Sequence, residues 1–128
     1  MALLPPGHAM AGARRFELKR LAGEPFVLFP RDLGPSFYDE LLGCCRKAGF
    51  EPRIVQEATQ WSSVMSLVSA GIGVSIGPAS IAKLLGSAVE SRTLPQQSTE
   101  VHLLGGSGRS HPAAANLATM LRNLKFEV

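Results

Sequence analysis

Three polar side chains follow predicted β-strands and have the chemistry to bind a charged small molecule. Arg31 comes two residues after the apolar run Phe26–Phe29. Thr59 and Gln60 follow the strand predicted at Arg53–Glu57. A guanidinium group binds a carboxylate through charge-assisted hydrogen bonds, and hydroxyl and amide groups add neutral ones. These residue types therefore predict a binding site for a small carboxylate.

The same positions also allow a purely structural interpretation. Thr59 could only cap the following helix, Arg31 could pair with Asp32 or with water, and Trp61 could be a core residue. For the group as a whole we favour ligand binding, and the predicted site residues are Pro30, Arg31, Asp32, Thr59, Gln60 and Trp61.

The sequence carries no recognisable catalytic or metal-binding motif. The glycines at 71–73 precede a predicted strand, whereas a dinucleotide-binding glycine motif follows one. The loop Gly105–Gly108 lacks the Lys-Ser/Thr pair of a phosphate-binding loop. His8, His102 and His111 are far apart and lack metal-ligand spacing. We therefore expect no enzymatic activity, no cofactor and no metal.

The composition is that of one globular domain. With 128 residues, 45% of them hydrophobic and 18% charged, the chain can bury a core. No apolar run reaches the ~18 residues of a membrane span, and no basic segment precedes the short apolar start, so we expect a cytoplasmic protein without a membrane partner. The net charge is +3, and the basic residues are dispersed along the chain. The four that lie nearest to one another in sequence are typical of a solvated helix face; they are Arg14, Arg15, Lys19 and Arg20.

The two cysteines, Cys44 and Cys45, are adjacent within a predicted helix. Neighbouring residues on a helix point about 100° apart, which does not suit a disulfide between them. We expect one small buried residue and one at the helix flank, rather than a redox switch.

Predicted strands and helices alternate along the chain. The predicted strands are Met1–Pro5, Phe26–Phe29, Arg53–Glu57, Val74–Ile76, Val89–Leu94 and Glu100–Leu104. The predicted helical segments are a turn at Phe16–Leu21, a helix from Pro35 or Ser36 to Gly49, a helix capped by Thr59, Ala79–Leu85, and a last helix opened by His111-Pro112. This alternation predicts an α/β, Rossmann-like fold with a mostly parallel sheet and helices on both faces. Proteins with such sheets bind ligands outside the carboxyl ends of the strands. Arg31, Thr59 and Gln60 follow predicted strands and therefore lie at that edge.

Several segments, in their order and spacing, resemble the effector-binding domain of LysR-type transcriptional regulators, most strongly from Leu18 to Leu85. They are Leu3–Ala11, Leu21–Pro30, Gly34–Asp39, Ala48–Pro52 and Leu67–Pro78. The resemblance implies one lobe of a two-lobed domain like the type II periplasmic binding proteins, with the effector held between the lobes. It divides the chain into a crossover segment (1–15), effector-binding lobe two (16–98), and a return strand with a C-terminal helix (99–128).

The family resemblance also implies partners. Lobe-two contacts to the effector would come from Pro30–Asp32 and Thr59–Trp61. The effector would be a small molecule such as an aromatic or dicarboxylic acid. The protein would be a homo-oligomer that reaches DNA only through a helix-turn-helix domain absent here, and closure of the lobes on the effector would change transcription.

The chain also departs from the family pattern. Most of lobe one is absent, and the glycine-rich stretch Leu104–Pro112 replaces a crossover strand. The last helix, Ala113–Leu124, therefore lacks its usual partner lobe. We expect its apolar stripe to fold back on the chain or to pair with another subunit, and a monomer with this helix fully exposed would contradict that expectation. The stripe consists of Leu117, Met120, Leu121 and Leu124.

With half of the cleft missing, we expect weak effector binding or none by the chain alone. The alternative function is a stand-alone solute-binding module. An enzyme similar to the cyclohexadienyl dehydratases ranks third, because the catalytic acids that it needs are not found.

Overall fold

The computed structural model describes residues 1–84, 88–94 and 119–120. The chain divides into two units, Met1–Gln97 and Ser98–Val128. In the second unit Thr119 and Met120 lie in a helix, and Met120 is exposed. The other predictions for this unit lie outside the described residues, namely the strand Glu100–Leu104, the loop Gly105–Ser110, and Leu117, Leu121 and Leu124 of the apolar stripe.

The described part of the first unit contains short strands and three α-helices. The strands are β1 (Ala2–Leu4), β2 (Pro25–Leu28), β3 (Arg53–Glu57), β4 (Ser75–Ile76) and β5 (Glu90–Arg92). The helices are α1 (Pro35–Lys47), α2 (Trp61–Ser69) and α3 (Ala79–Leu84), and 3-10 turns occur at Leu18–Leu21 and Arg31–Leu33. The predicted order of elements is therefore confirmed over this part of the chain.

One continuous set of pairings joins the strands in the order β3-β2-β4-β1-β5. β2 runs parallel to β3, whereas β1 runs antiparallel to both β4 and β5. A parallel bridge between Phe26 and Val74 connects β2 to the start of β4. The Val27 N–H donates to the Val74 carbonyl at 2.9 Å, and the Val74 N–H donates to the Pro25 carbonyl at 2.8 Å.

The prediction of a mostly parallel sheet is only partly confirmed. Among the described strands, the pairings of β2 are parallel and those of β1 are antiparallel. β1 enters the sheet before any helical crossover, and only such crossovers force consecutive strands to run parallel. The sequence pattern predicted β1 as a strand but carried no information about its direction.

The apolar residues of β2 are buried on both faces of the sheet. Phe26 and Leu28 lie in one hydrophobic cluster with Leu41 and Cys45 of α1. Val27 points to the opposite face, where the second cluster contains Val64 and Val68 of α2 and Leu3 of β1. This two-sided burial explains why the run from Phe26 to Phe29 is continuously apolar rather than alternating. β3, by contrast, is the outer strand and most of its side chains are exposed.

The boundaries of α1 follow from its terminal residues. Pro35 occupies the first turn, which settles the start that the sequence left open between Pro35 and Ser36. After the helix, Gly49 adopts a positive φ of 90°, the left-handed conformation in which glycine commonly ends helices. The helix therefore packs its buried residues Leu41 and Cys45 on the sheet and then turns directly toward β3.

The junction between β2 and β4 requires glycine at position 73. A Cβ atom at Gly73 would lie 2.5 Å from the Pro25 carbonyl oxygen and 3.0 Å from the carbonyl carbon. Both are backbone atoms, so a side chain there could be accommodated only by moving one strand relative to the other. Gly43 of α1, in contrast, has no atom within 4 Å of an added Cβ.

We expect Gly73→Ala to lower the free energy of unfolding by about 1–3 kcal/mol, because the two strands must separate to admit the methyl group. The matched change Gly43→Ala should raise it by up to about 1 kcal/mol, because alanine favours the helix. Urea unfolding followed by circular dichroism measures both. A Gly73→Ala chain as stable as the parent would contradict the close approach of β2 and β4.

The cysteines of α1 differ in burial as the sequence predicts. Cys45 is fully buried, and Cys44 is half-buried. Burial raises the pKa of the Cys45 thiol to about 12, and the neighbouring Cys44 and Glu51 add to the shift. Burial also raises the pKa of the Cys44 thiol. Both shifts favour the protonated, unreactive thiol.

We therefore expect Cys45 to resist alkylation in the folded chain, since its side chain is fully buried and its raised pKa keeps the thiol protonated. In a Cys44→Ser variant, Cys45 is the remaining thiol and can be followed alone. Iodoacetamide labelling measured by mass should be far slower without urea than with it. Equal rates in the two conditions would show that Cys45 is accessible.

Candidate ligand-binding site

The carboxyl ends of β3, β2 and β4 lie at one edge of the sheet, because these strands run parallel. Each strand is followed there by the start of a helix: α1 after β2, α2 after β3, and α3 after β4. Neighbouring strand ends are joined by a hydrogen bond from the Ala58 N–H to the Leu28 carbonyl, 3.0 Å long. Both predicted groups of site residues, 30–32 and 59–61, therefore follow adjacent strands at the same edge.

Trp61 is the largest side chain at this edge and lies against α1 and against the residues that directly follow β2 and β4. Its ring stacks on Phe29, with centroids 5.4 Å apart and an angle of 29° between the planes. It also meets Phe37 of α1 edge-on, with centroids 5.9 Å apart. A Cβ at Gly77 would lie 2.9 Å from Trp61 Cζ3. Trp61 is thus half-buried against the second cluster, and it forms an apolar wall across the ends of β2 and β4.

Arg31 is paired with Asp39 rather than with Asp32 or water. Its Nε donates to Asp39 Oδ1 at 2.9 Å, and its Nη2 donates to Oδ2 at 2.8 Å. This hydrogen-bonded pair lowers the pKa of the Asp39 carboxyl and raises the pKa of Arg31. Both side chains are more than half exposed, and Asp32 is exposed as well. The Arg31 guanidinium is therefore at the surface of the site and already holds a carboxylate.

The predicted capping role of Thr59 is wrong. α2 begins at Trp61, and Gln60 occupies the capping position with extended backbone angles (φ −129°, ψ 141°) and no side-chain hydrogen bond to the helix. A threonine cap is worth about 1 kcal/mol, and this helix begins without one. Thr59 and Gln60 are consequently exposed at the edge, as polar groups that face solvent.

A second arginine, Arg92, was not identified by the sequence reasoning. It donates to the carbonyl of Ala11 at 2.9 Å and to the carbonyl of Ala13, and so ties β5 to the segment that follows β1. A cavity of about 380 Å³ beside it is lined by Phe16, Ser91, Arg92 and Thr93. These partners are about 80 residues away in sequence, so no local pattern could have indicated them.

His8, the histidine among the described residues, contacts neighbouring groups of the protein. His8 Nδ1 accepts a hydrogen bond from the Met10 N–H at 3.1 Å, and Nε2 lies 3.4 Å from a Glu24 carboxylate oxygen. Within residues 1–84, 88–94 and 119–120, no three metal-ligating side chains come together. No helix in that same part of the chain is long and apolar enough to cross a membrane.

The fold is a mixed α/β sheet with helices on both faces and an aromatic edge where parallel strands end. The family model of the LysR substrate binding domain matches residues 1–125. The chain therefore belongs to the LysR substrate-binding domain family.

Individual relatives agree with this assignment. The HTH-type transcriptional regulator AlsR of Bacillus subtilis (strain 168) is 37% identical over 93 residues, which cover 73% of this chain and 31% of AlsR. The C-terminal domain of a probable LysR family transcriptional regulator from Rhodococcus sp. RHA1 superposes with a TM-score of 0.53 and 28% identity over 62% of this chain and 39% of that one. The chain spans less than a third of the length of the curated relatives that it matches.

The likeness in fold to one solved structure extends over nearly the whole chain. The effector binding domain of QuiR, solved in complex with shikimate, superposes with a TM-score of 0.57 at 19% identity, covering 95% of this chain and 59% of that one. At this level of sequence identity, the superposition shows that the two proteins share a fold.

We expect Gly77→Val to displace the Trp61 ring, because any Cβ at position 77 meets Cζ3 and the Leu3 side chain. The cost should be about 1–3 kcal/mol of unfolding free energy. Trp61 is the sole tryptophan, so its emission spectrum reports the change directly. Gly43→Ala serves as the control and should leave the emission as it is. An unchanged spectrum in Gly77→Val would refute the contact.

Proposed function

We propose that this chain is the effector-sensing part of a LysR-type transcriptional regulator and binds a small carboxylate where β2 and β3 end. The observation that carries the proposal is the family match over residues 1–125. The names of the curated relatives, which are HTH-type transcriptional regulators, support it. The chemistry of the edge supports a ligand that has both a negative charge and an apolar body.

The negative charge would be recognised by Arg31 together with two helix starts. α1 and α2 both begin at this edge without a side-chain hydrogen bond at the capping position, so the backbone N–H groups of their first turns, except at Pro35, which has none, would be available to an anion. Arg31 presents a guanidinium that already binds a carboxylate bidentately. Thr59 and Gln60 would add neutral hydrogen bonds, and Pro30 and Asp32 would line the same loop.

The apolar body would lie against Trp61 and Phe29. Their stacked rings place an aromatic surface next to the polar residues, and aromatic side chains commonly line small-molecule sites. An aromatic or dicarboxylic acid combines the required features. We propose binding rather than catalysis, and no metal or cofactor takes part.

In the whole regulator, effector binding would favour one arrangement of the two lobes and so alter DNA binding by a separate helix-turn-helix domain. The regulator would act as a homo-oligomer in the cytoplasm. Sequencing the gene upstream of Met1 tests this part of the proposal. A reading frame that encodes a winged helix-turn-helix and another lobe would support it, whereas a native protein whose intact mass matches these 128 residues would remove DNA binding.

We expect the chain to bind benzoate and succinate weakly, with changes in Trp61 emission, and to bind benzamide and succinamide much less. Arg31→Gln should weaken the binding of both acids about tenfold through loss of a charge-assisted pair. The matched control is Arg46→Gln, because Arg46 is equally exposed (61% for both side chains) and also pairs with a carboxylate, that of Glu51. Equal losses in the two variants, or equal binding of acids and amides, would contradict the proposed site.

A further inference from the structure

The ion pair at Arg31 occupies one of the two edges of the guanidinium group. Arg31 Nε and Nη2 both point at Asp39, at 2.9 Å and 2.8 Å. This edge, like the one formed by the two terminal nitrogens, can bind a carboxylate through two parallel hydrogen bonds. The charged group of the proposed site thus holds a carboxylate that belongs to the protein itself.

We propose that Asp39 sets the affinity threshold of this site: its carboxylate competes with the ligand for the Nε edge of Arg31 and is displaced when a ligand carboxylate binds there. The inference rests on the proposed function of this edge. It goes further by assigning a role to a residue that the sequence reasoning did not place in the site.

The exchange is energetically feasible because the pair is exposed. The Arg31 and Asp39 side chains are 61% and 53% accessible to solvent. Exposed ion pairs are weak, since water and salt screen them. When a ligand carboxylate replaces that of Asp39, Arg31 keeps both charge-assisted hydrogen bonds, and the Asp39 carboxylate returns to water from a position that is already half exposed.

The competition raises the ligand concentration that the site requires, by the same factor for every carboxylate that takes the place of Asp39. Asp39 is tethered beside Arg31, so its effective concentration there is high and a bare carboxylate such as acetate competes poorly. An acid with an apolar body gains additional free energy by burying that body against Trp61 and Phe29. Asp39 would therefore keep weakly bound acids such as acetate below half-saturation, whereas acids that bind more tightly through an apolar body would still occupy the site.

Another ion pair on the same helix provides a matched control. Arg46 Nε donates to Glu51 Oε1 at 2.6 Å, and both of these side chains are also more than half exposed. This pair lies near the opposite end of α1 from Pro35, away from the edge where β2 and β3 end. The substitution Glu51→Gln removes one negative charge, as Asp39→Asn does, but it leaves the pair between Arg31 and Asp39 in place.

The test uses the full 128-residue chain and follows the side-chain Nε–H signal of Arg31 by nuclear magnetic resonance, assigned with Arg31→Gln. Acetate and benzoate are titrated at constant ionic strength into the parent chain, Asp39→Asn and Glu51→Gln. We expect Asp39→Asn to lower the half-saturating acetate concentration by about two- to fivefold, as the strength of an exposed pair allows. The half-saturating benzoate concentration should fall by the same factor, so that the ratio of the two stays constant, and Glu51→Gln should change neither concentration.

The inference would be overturned if Asp39→Asn left the acetate titration of Arg31 unchanged, or if Glu51→Gln altered it equally. These outcomes differ from failure of the proposed function. If Trp61 emission responds to benzoate through Arg31 but Asp39→Asn has no effect, the site stands and the competition does not. If Asp39→Asn exposes Arg31 to acetate but Trp61 responds to no acid in either chain, the proposed ligand site fails.

Discussion

The close contact between the backbones of β2 and β4 is the constraint on which the described structure depends. Two hydrogen bonds, from Val27 and Val74, join the strands, and the chain can approach so closely only because residue 73 has no side chain. Through this junction the parallel pair of β2 and β3 becomes continuous with the antiparallel strands around β1. The sheet can then bury apolar side chains against helices on both faces.

The same junction determines the shape of the candidate site. It aligns the carboxyl end of β4 with that of β2, so that Gly77 faces the indole ring of Trp61 while Phe29 stacks on it. Two glycines thus have related roles. Gly73 lets β2 and β4 approach each other, and Gly77 leaves room for the indole ring of Trp61. The polar groups of the site lie beside this wall because their loops begin where the aligned strands end.

The sequence predicted those parts of the fold that depend on local patterns. The apolar run of β2 between prolines, the proline that starts α1 and the glycine that ends it are signals within a few residues, and each was confirmed. The edge of the sheet at which the site residues lie followed from the alternation of strands and helices.

What the sequence could not predict depends on contacts between distant residues. The direction of β1 is set by its neighbours in the sheet. Asp39 lies eight residues from Arg31, across a 3-10 turn that carried no sequence signal. The capping residue of α2 is Gln60 rather than Thr59, a shift of one position that the local preference of threonine for the cap did not indicate. Local sequence patterns therefore predicted the edge at which the candidate site lies. The pairing of Arg31 with Asp39 could be seen only in the folded chain.

The exposed outer strand also affects how copies of the chain behave toward one another. In the described region β3 pairs with β2 on one side, and its other side carries backbone groups that a strand from a second molecule could bind. Arg53 at its start and Glu57 at its end place charges where such a strand would have to align, and Val55 between them is partly exposed. Because these two charges are of opposite sign, an antiparallel pairing of two copies would bring Arg53 of each beside Glu57 of the other, so the charges select the direction of pairing rather than prevent it.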